Sequence, residues 1–327
     1  MTKIQNIGVL TSGGDSPGMN AAIRAVVRGS LYYKLKVTGI LRGYDGLINA
    51  DFIPMDGKSV ANIIQRGGTI LKTARCDEFK TPEGRAKAYQ NLLDSGIDAL
   101  VVIGGDGTFT GADIFSREYD FPIIGLPGTI DNDLEGTDLT IGYDTAINTV
   151  VSAVDKIRDT AESHDRLFIV EVMGRDSGLI ALRSGIGVGA EAILIPEAKM
   201  TTEDLIERVE HGRKDKASKI IVVAEGDEAG GAYNVGEVLK EKFPHHDIRV
   251  SVLGHIQRGG RPSCADRVLA SRLGVAAVEG LLEGKSKVMI GQVNKEIVFT
   301  PFSKAIKHID ATQVTPAWLK LAEILSL

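Results

Sequence analysis

ALVVIGGDGT, residues 99–108, is the stretch whose reading decides the fold. Its first five residues are all apolar, with no alternation, so both faces of the strand they form are buried, as in a parallel sheet. Gly104 and Gly105 then break the run, and a helical pattern follows. VLTSGGD, residues 9–15, repeats the same order of strand, Gly-Gly-Asp and helix. Further β-rich runs, each ending in a glycine or polar cluster, occupy residues 7–10, 37–41, 122–126, 167–172, 192–195, 220–224 and 250–253.

Helical patterns separate the runs. Ser16-Pro17 predicts a cap and first-turn proline for a helix with Met19, Ile23, Val26, Val27 and Leu31 on its apolar face. Thr81-Pro82 opens a second helix, ending before Gly96. A third places Ile147, Val150, Val151, Val154 and Ile157 at helical spacing, and a fourth covers residues 265–282. Strand and helix alternate throughout, which predicts a doubly wound α/β architecture.

The chain has 327 residues, 43% hydrophobic and 25% charged, enough for a large core and two domains. Its net charge of -5 gives no long-range attraction for nucleic acid or anionic membrane, so any bound anion needs local basic residues. Cys76 and Cys264, the only two cysteines, form no metal-like spacing; without an N-terminal signal segment they predict a reducing, cytoplasmic setting. No apolar run is long enough to span a bilayer.

In an open parallel sheet, ligands bind beyond the carboxyl ends of the strands. Six polar or glycine-rich clusters fall there: residues 13–15, 104–108, 129–133, 173–175, Glu225, and 255–258. Glycines between a strand and a helix let backbone N–H groups approach an anion, and the helix N-terminus adds partial positive charge. Each Gly-Gly-Asp turn alone is equally a tight connection; two together favour a phosphate cradle. The Walker pattern is absent, because Phe52 and Glu279 stand where it requires glycine before Gly57-Lys-Ser59 and Gly284-Lys-Ser286. Asp106, directly after the second glycine pair, suits Mg²⁺, with helix capping as the competing role. Arg75, Arg166, Arg175, Arg249 and Arg258 lie near turns and could grip phosphate, although for any one of them alone a surface ion pair is the better reading. None of the six histidines has metal-site spacing.

TSGGDSPGMNAAIR (residues 11–24), RGGT with TARCDEF (66–69 and 73–79), VVIGGDGT (101–108), GLPGTIDND (125–133), VEVMGR (170–175) and VLGHIQRGG (252–260), in this order, resemble bacterial ATP-dependent 6-phosphofructokinase over almost the whole chain, weakening over residues 227–247 and after Phe299. The resemblance implies two Rossmann-like three-layer αβα domains with mostly parallel sheets: a larger ATP-binding domain of residues 1–140 plus 256–305, and a smaller sugar-phosphate and effector domain of residues 141–255 plus 306–327. It implies transfer of the ATP γ-phosphoryl to the 1-hydroxyl of fructose 6-phosphate, in glycolysis. Asp131 would be the general base, Thr129 would lie beside the reacting sugar, and Arg75 and Arg175 would stabilise the moving phosphoryl. Gly14, Arg75, Cys76, Gly105, Asp106, Gly107 and Thr108 would line the nucleotide, with Mg²⁺ on Asp106 and Asp133 assisting. Thr129, Ile130, Asp131, Met173, Gly174, Arg175, Glu225, His255, Ile256, Gln257 and Arg258 would hold the sugar phosphate. Arg166 and Arg249 would reach it from a neighbouring subunit, which implies a homotetramer. A free aspartate, pKa about 3.9, is ionised at neutral pH and can take the hydroxyl proton.

Gly107 and Gly128 stand where pyrophosphate-dependent relatives usually carry Asp and Lys, so ATP is the expected donor. An effector site for ADP or phosphoenolpyruvate is implied by Arg24, Arg28, Arg158, Gly189, Ala190, Glu191, Lys214 and Lys216. Gly57, Asn62 and Ala217 replace the arginine, acid and lysine expected there, which predicts blunted or altered regulation. Leu179 replaces an acid common after MGRxxG. A nucleotide-binding oxidoreductase lacks support, because no G-x-G-x-x-G is followed by a ribose-binding acid; a catalytically dead sugar-phosphate sensor would have no need of Asp131 as a base.

Overall fold

A computed structural model describes residues 4–162, 166–211, 219–306 and 314–326. In chain order the elements begin β1 (Asn6–Thr11), α1 (Met19–Tyr32), β2 (Lys36–Ile40), α2 (Tyr44–Asn49), β3 (Phe52–Met55), α3 (Pro82–Asp94), β4 (Ala99–Gly104), α4 (Asp106–Tyr119), β5 (Ile123–Pro127) and α5 (Tyr143–Glu162). They continue as β6 (Arg166–Val172), α6 (Leu179–Gly187), β7 (Ala192–Leu194), α7 (Thr202–His211), β8 (Lys219–Ala224), α8 (Gly231–Lys242) and β9 (Asp247–Val252). The chain then forms α9 (Cys264–Leu282), β10 (Val288–Val293), β11 (Glu296–Pro301), α10 (Phe302–Ala305) and α11 (Pro316–Leu325). Two compact units result. Unit 1 comprises Met1–Ile130, Leu134–Thr145 and Arg258–His308; unit 2 comprises Asp131–Asp133, Ala146–Gln257 and Ile309–Leu327.

Unit 1 is built on a seven-stranded sheet in the order β11-β10-β5-β4-β1-β2-β3. The central strands β2, β1, β4 and β5 are parallel, with Thr11 opposite Ile103 and Gly104 opposite Pro127, so the carboxyl ends of β1, β4 and β5 finish level. β1, β4 and β5 are buried along their whole length, as runs apolar on both faces require. On one side of the sheet, Met19, Ile23 and Val26 of α1 and Leu269 and Leu273 of α9 join Val9 and Val101 in one core; on the other, Leu47, Leu92 and Phe109 from α2, α3 and α4 pack with Leu100 and Val102. Burying each such side chain contributes about 1.5–3 kcal/mol. Gly125 of β5 leaves room for the Phe109 and Phe302 rings, since a Cβ there would lie 2.5 Å from one and 2.8 Å from the other.

Unit 2 carries a parallel four-stranded sheet in the order β7-β8-β6-β9. Leu205 and Val209 of α7 and Val235 and Leu239 of α8 pack against Ile169, Ile221 and Val223. α6 approaches β7 closely, because Gly185 puts no side chain against Ile193, which a Cβ would meet at 2.6 Å.

Two local expectations change. Ser16 does not cap α1: the helix starts at Met19 behind Gly18, whose φ of 107° a capping serine would not tolerate, and the Ser16 hydroxyl is buried without a hydrogen-bond partner. Leu31 faces outward at 38% exposure rather than joining the apolar face. Thr81 does cap α3, accepting from the Gly84 N–H at 3.1 Å, with Pro82 in the first turn.

Candidate active site

Within unit 1, the two Gly-Gly-Asp turns and the Gly128–Ile130 segment lie at the carboxyl edge of β1, β4 and β5. Ser12 N–H donates to Ile103 O at 3.0 Å and Gly128 N–H to Gly104 O at 2.9 Å, so the turns are stitched to one another just past the strands. Thr108 donates its hydroxyl to Ser12 O at 3.1 Å, locking the first turn of α4 against the turn after β1. This close packing needs Gly104, where a Cβ would lie 2.3 Å from the Thr108 hydroxyl and 2.5 Å from Ser12 O. Gly13 sits at φ +82°, a left-handed conformation that glycine adopts without strain. Neither Gly18 ahead of α1 nor Gly105 ahead of α4 caps its helix with a side chain, so each helix start presents backbone N–H groups and partial positive charge.

The remaining unit 1 residues gather around these turns. Gly105 lies against Thr129, whose Cβ would be 3.4 Å from a Cβ at 105. Arg258 crosses Gly14 at close range: its guanidinium donates to Asp15 O at 3.3 Å, and a Cβ at 14 would come within 2.7 Å of Nη1. Arg75 and Cys76 belong to a segment fastened beside Gly13, where Thr73 donates to Gly13 O at 2.7 Å and Thr11 to Lys72 O at 2.8 Å. Burial pushes the Cys76 thiol up, which makes it a poor nucleophile at neutral pH. Tyr44 donates to Thr108 O at 2.5 Å and stacks on Phe79; burial drives its phenol strongly upward, so it stays protonated.

In unit 2, Asp131 and Asn132 are buried and Asp133 half-buried. Asn132 adopts φ 51°, a left-handed conformation that Asn tolerates better than most residues, which accounts for the amide between the two acids. The 173–175 turn after β6 is held by two side chains from other strand ends. Gln257 Oε1 accepts from Met173 N–H at 2.9 Å, and Glu225 Oε1 accepts from Arg175 N–H at 2.8 Å and Gly174 N–H at 3.3 Å. Arg175 is exposed and left-handed, φ 58°, an unfavourable geometry for a long side chain and one found at functional turns. Arg166 Nε and Arg249 Nε approach the same carboxylate, Asp247, at 2.6 and 2.8 Å. The hydrogen bond from Arg166, followed by that from Arg249, holds the Asp247 carboxyl below its usual range. His255 and Ile256 are exposed beside the buried Gln257.

Among the described residues the effector candidates are divided between the two units. Arg24 and Arg28 lie on α1 in unit 1. Arg158 of unit 2 donates to Val188 O, next to Gly189, Ala190 and the buried Glu191, which accepts from Ile220 N–H at 2.5 Å. Lys214 and Lys216 lie outside the described residues. Sequence reasoning missed Thr73, Asn20 and Asp247. Asn20 accepts from Ile70 N–H at 2.8 Å and donates to Arg66 O at 3.1 Å, fixing the loop that leads to Arg75; its place within TSGGDSPGMN was the available signal.

The Phosphofructokinase family model matches residues 6–281. The chain belongs to the phosphofructokinase family. It is similar to ATP-dependent 6-phosphofructokinase 2 of Bacteroides thetaiotaomicron, 59% identical over 94% of this chain and 95% of that one. It is also similar to ATP-dependent 6-phosphofructokinase 1 of Thermus thermophilus, 53% identical over 99% of this chain and 100% of the other. Among solved structures it resembles phosphofructokinase from Saccharomyces cerevisiae with a TM-score of 0.88 and 40% identity, covering 92% of this chain but only 45% of the yeast chain. A pyrophosphate-dependent phosphofructokinase from Marinobacter aquaeolei shares the fold, with a TM-score of 0.84 at 23% identity over 98% of this chain and 91% of that one.

Proposed function

We propose that this phosphofructokinase transfers the γ-phosphoryl of ATP to the 1-hydroxyl of fructose 6-phosphate, releasing ADP, with the residues acting as follows. The observation that carries the reading is the stitched carboxyl edge of unit 1, where the glycine turns of β1 and β4 meet the Thr129 segment after β5. Backbone N–H groups at residues 13–14 and 105–107 and the start of α4 bind the nucleotide phosphates, with Arg75 and Cys76 lining the nucleotide. Asp131 accepts the hydroxyl proton as the sugar oxygen attacks. Arg175 and Arg75 stabilise the charge that spreads over the moving phosphoryl, the main task a protein performs in this chemistry. Met173, Gly174, Glu225, His255, Gln257 and Arg258 hold the sugar phosphate.

Asp106 is the residue offered to Mg²⁺. It is half-buried in the first turn of α4, beside the phosphate cradle. Among the described residues no three His, Cys, Asp or Glu side chains cluster as an ion cage. One carboxylate supplemented by phosphate oxygens and water suits this ion, which seldom takes an all-protein cage. When bound, the ion neutralises charge on the β- and γ-phosphates. Asp133 is the candidate second carboxylate.

ATP rather than pyrophosphate is the donor. Support comes from relatives at 53–59% identity named as ATP-dependent and from glycine at both 107 and 128. Arg166 and Arg249, gathered on Asp247, are assigned to the sugar phosphate of a neighbouring subunit, in a homotetramer. The larger, ATP-binding domain corresponds in this reading to unit 1 and the smaller, sugar-phosphate domain to unit 2. A glycolytic kinase of this kind works in the cytoplasm; among the described residues no helix is long and apolar enough to cross a membrane. Regulation by ADP or phosphoenolpyruvate is blunted, because Gly57 and Ala217 remove two cations from the effector set.

An ADP-release assay with fructose 6-phosphate tests the assignment. Asp131→Ser should lose about 10²- to 10⁴-fold in turnover while still binding both substrates. Wild-type turnover with pyrophosphate and none with ATP would overturn the choice of donor.

A further inference from the structure

Asp266, in the first turn of α9, is 1% exposed and plays no part in the assignments above. Its Oδ1 accepts from Gly142 N–H at 2.9 Å, and its Oδ2 accepts from Thr145 N–H at 2.9 Å and from the Thr145 hydroxyl at 2.5 Å. The Thr145 hydroxyl in turn accepts from Ser263 N–H at 2.9 Å. The starts of α5 and α9 are thereby tied together, and α5 is capped by a carboxylate 121 positions away in the chain. A buried acid is a demanding choice for a cap. Burial pushes the Asp266 carboxyl above its usual range, and the donors from Thr145 and Gly142 oppose the shift. An asparagine would offer one oxygen where the site supplies donors to two.

The turn that Asp266 grips is the one that holds the catalytic segment. Thr140 donates its hydroxyl to Thr129 O at 2.6 Å, and Ile141 N–H donates to Pro127 O at 2.8 Å. The other side of the turn presses on the residues after the first glycine cradle. A Cβ on Gly142 would lie 2.7 Å from Ser16 Cβ, and one on Gly18 would lie 2.6 Å from Ile141 Cγ2. Ser16, Thr140 and Ile141 are fully buried, so the contacts have no slack that water could fill.

We propose that Asp266 is a positioning residue for phosphoryl transfer: through the 140–145 turn it fixes the backbone at Pro127 and Thr129, just ahead of the proton acceptor, without touching either substrate. This rests on the kinase reading given above. A misplacement of about 1 Å at a reacting centre can lower a rate about 10²-fold. An interaction that sets geometry rather than binding should therefore appear in kcat and leave KM in place.

The test compares Asp266→Asn, Thr145→Val and Thr145→Ser with the wild type in the ADP-release assay. Each is assayed well below its own unfolding midpoint, with ATP and fructose 6-phosphate varied in turn. Asp266→Asn should lower kcat roughly 10- to 100-fold and Thr145→Val by about tenfold, with both KM values close to wild type, and Thr145→Ser should restore turnover. Should Asp266→Asn fail to fold, the Thr145 pair decides, since Val keeps the shape and both backbone donors. Wild-type kcat in Thr145→Val, with only a lowered unfolding temperature, would reduce Asp266 to a structural cap and overturn the proposal. A wild-type enzyme with no ATP-dependent turnover would instead overturn the kinase reading itself.

Discussion

Gly107 and Gly128, to which the proposed function ties the preference for ATP, should respond to substitution in opposite ways. At Gly107, in the first turn of α4, an added Cβ meets nothing within 4 Å. Gly107→Asp should therefore fold normally, and a carboxylate near a helix N-terminus contributes about 0.3–1 kcal/mol of stabilisation. Its charge, however, would lie in the proposed site for the nucleotide phosphates. Two like charges about 4 Å apart repel by about 1 kcal/mol in water and about 4 kcal/mol at an effective dielectric of 20. That corresponds to a loss in kcat/KM for ATP of roughly fivefold to just under a thousandfold. At Gly128, by contrast, a Cβ would lie 2.9 Å from Ile103 Cγ2, 3.3 Å from Met19 Cε and 3.4 Å from Gly104 N, all in packed interior. Overpacking of this kind costs about 1–3 kcal/mol, so Gly128→Ala should unfold several degrees lower. Thermal denaturation and ATP saturation kinetics of both variants provide the check. An unchanged kcat/KM for ATP in Gly107→Asp, or an unchanged unfolding temperature in Gly128→Ala, would refute the reasoning for that position.

Glu118 is bonded by Arg85 Nε and Nη2, both at 2.6 Å, which holds its carboxyl below the usual range. A lowered native value means the pair stabilises above the unfolded pKa of about 4.3 and is lost as pH falls through the native one. The unfolding temperature of Glu118→Gln should thus lie below wild type at pH 7 and converge with it as pH falls through the lowered native pKa. Arg85→Ala should cost more, because the guanidinium also donates to Phe79 O and Lys80 O at a nearly buried site; a loss of about 1–3 kcal/mol in denaturant titration is expected. Trp318, the only tryptophan, has the Arg183 guanidinium 3.7 Å from its ring centroid, so Arg183→Ala should red-shift its emission as water replaces the cation. Adding phosphoenolpyruvate should shift the fructose 6-phosphate saturation curve only weakly; strong inhibition would show that Gly57 and Ala217 do not blunt the effector site.

Strands apolar on both faces were legible from the sequence, and all eight such runs became parallel strands. β3, β10 and β11 were not. β3 contains Pro54, which reads against a strand, yet it pairs antiparallel with β2 at the sheet edge, where a missing N–H is tolerated. β10 and β11 form an antiparallel edge pair and are only partly buried, so they lack the continuous apolar signature. The glycine turns were legible because their chemistry is local. Asp266 was not, since an acid in a helix's first turn reads as an ordinary dipole partner until the fold brings Gly142 and Thr145 to it. Asp247 was hidden likewise: only the pairing of β6 with β9 places Arg166 opposite it.

The strand order of unit 1 bears on how the protein is made. β5 finds its outer neighbour, β10, only after every strand of the other sheet has left the ribosome. At ~5–20 residues per second the flank of β5 stays uncovered for roughly ten seconds or more. During that interval it can template pairing with another nascent chain, so crowded polysomes and slow codons within residues 146–257 should raise misassembly more than the same delay placed after Pro301.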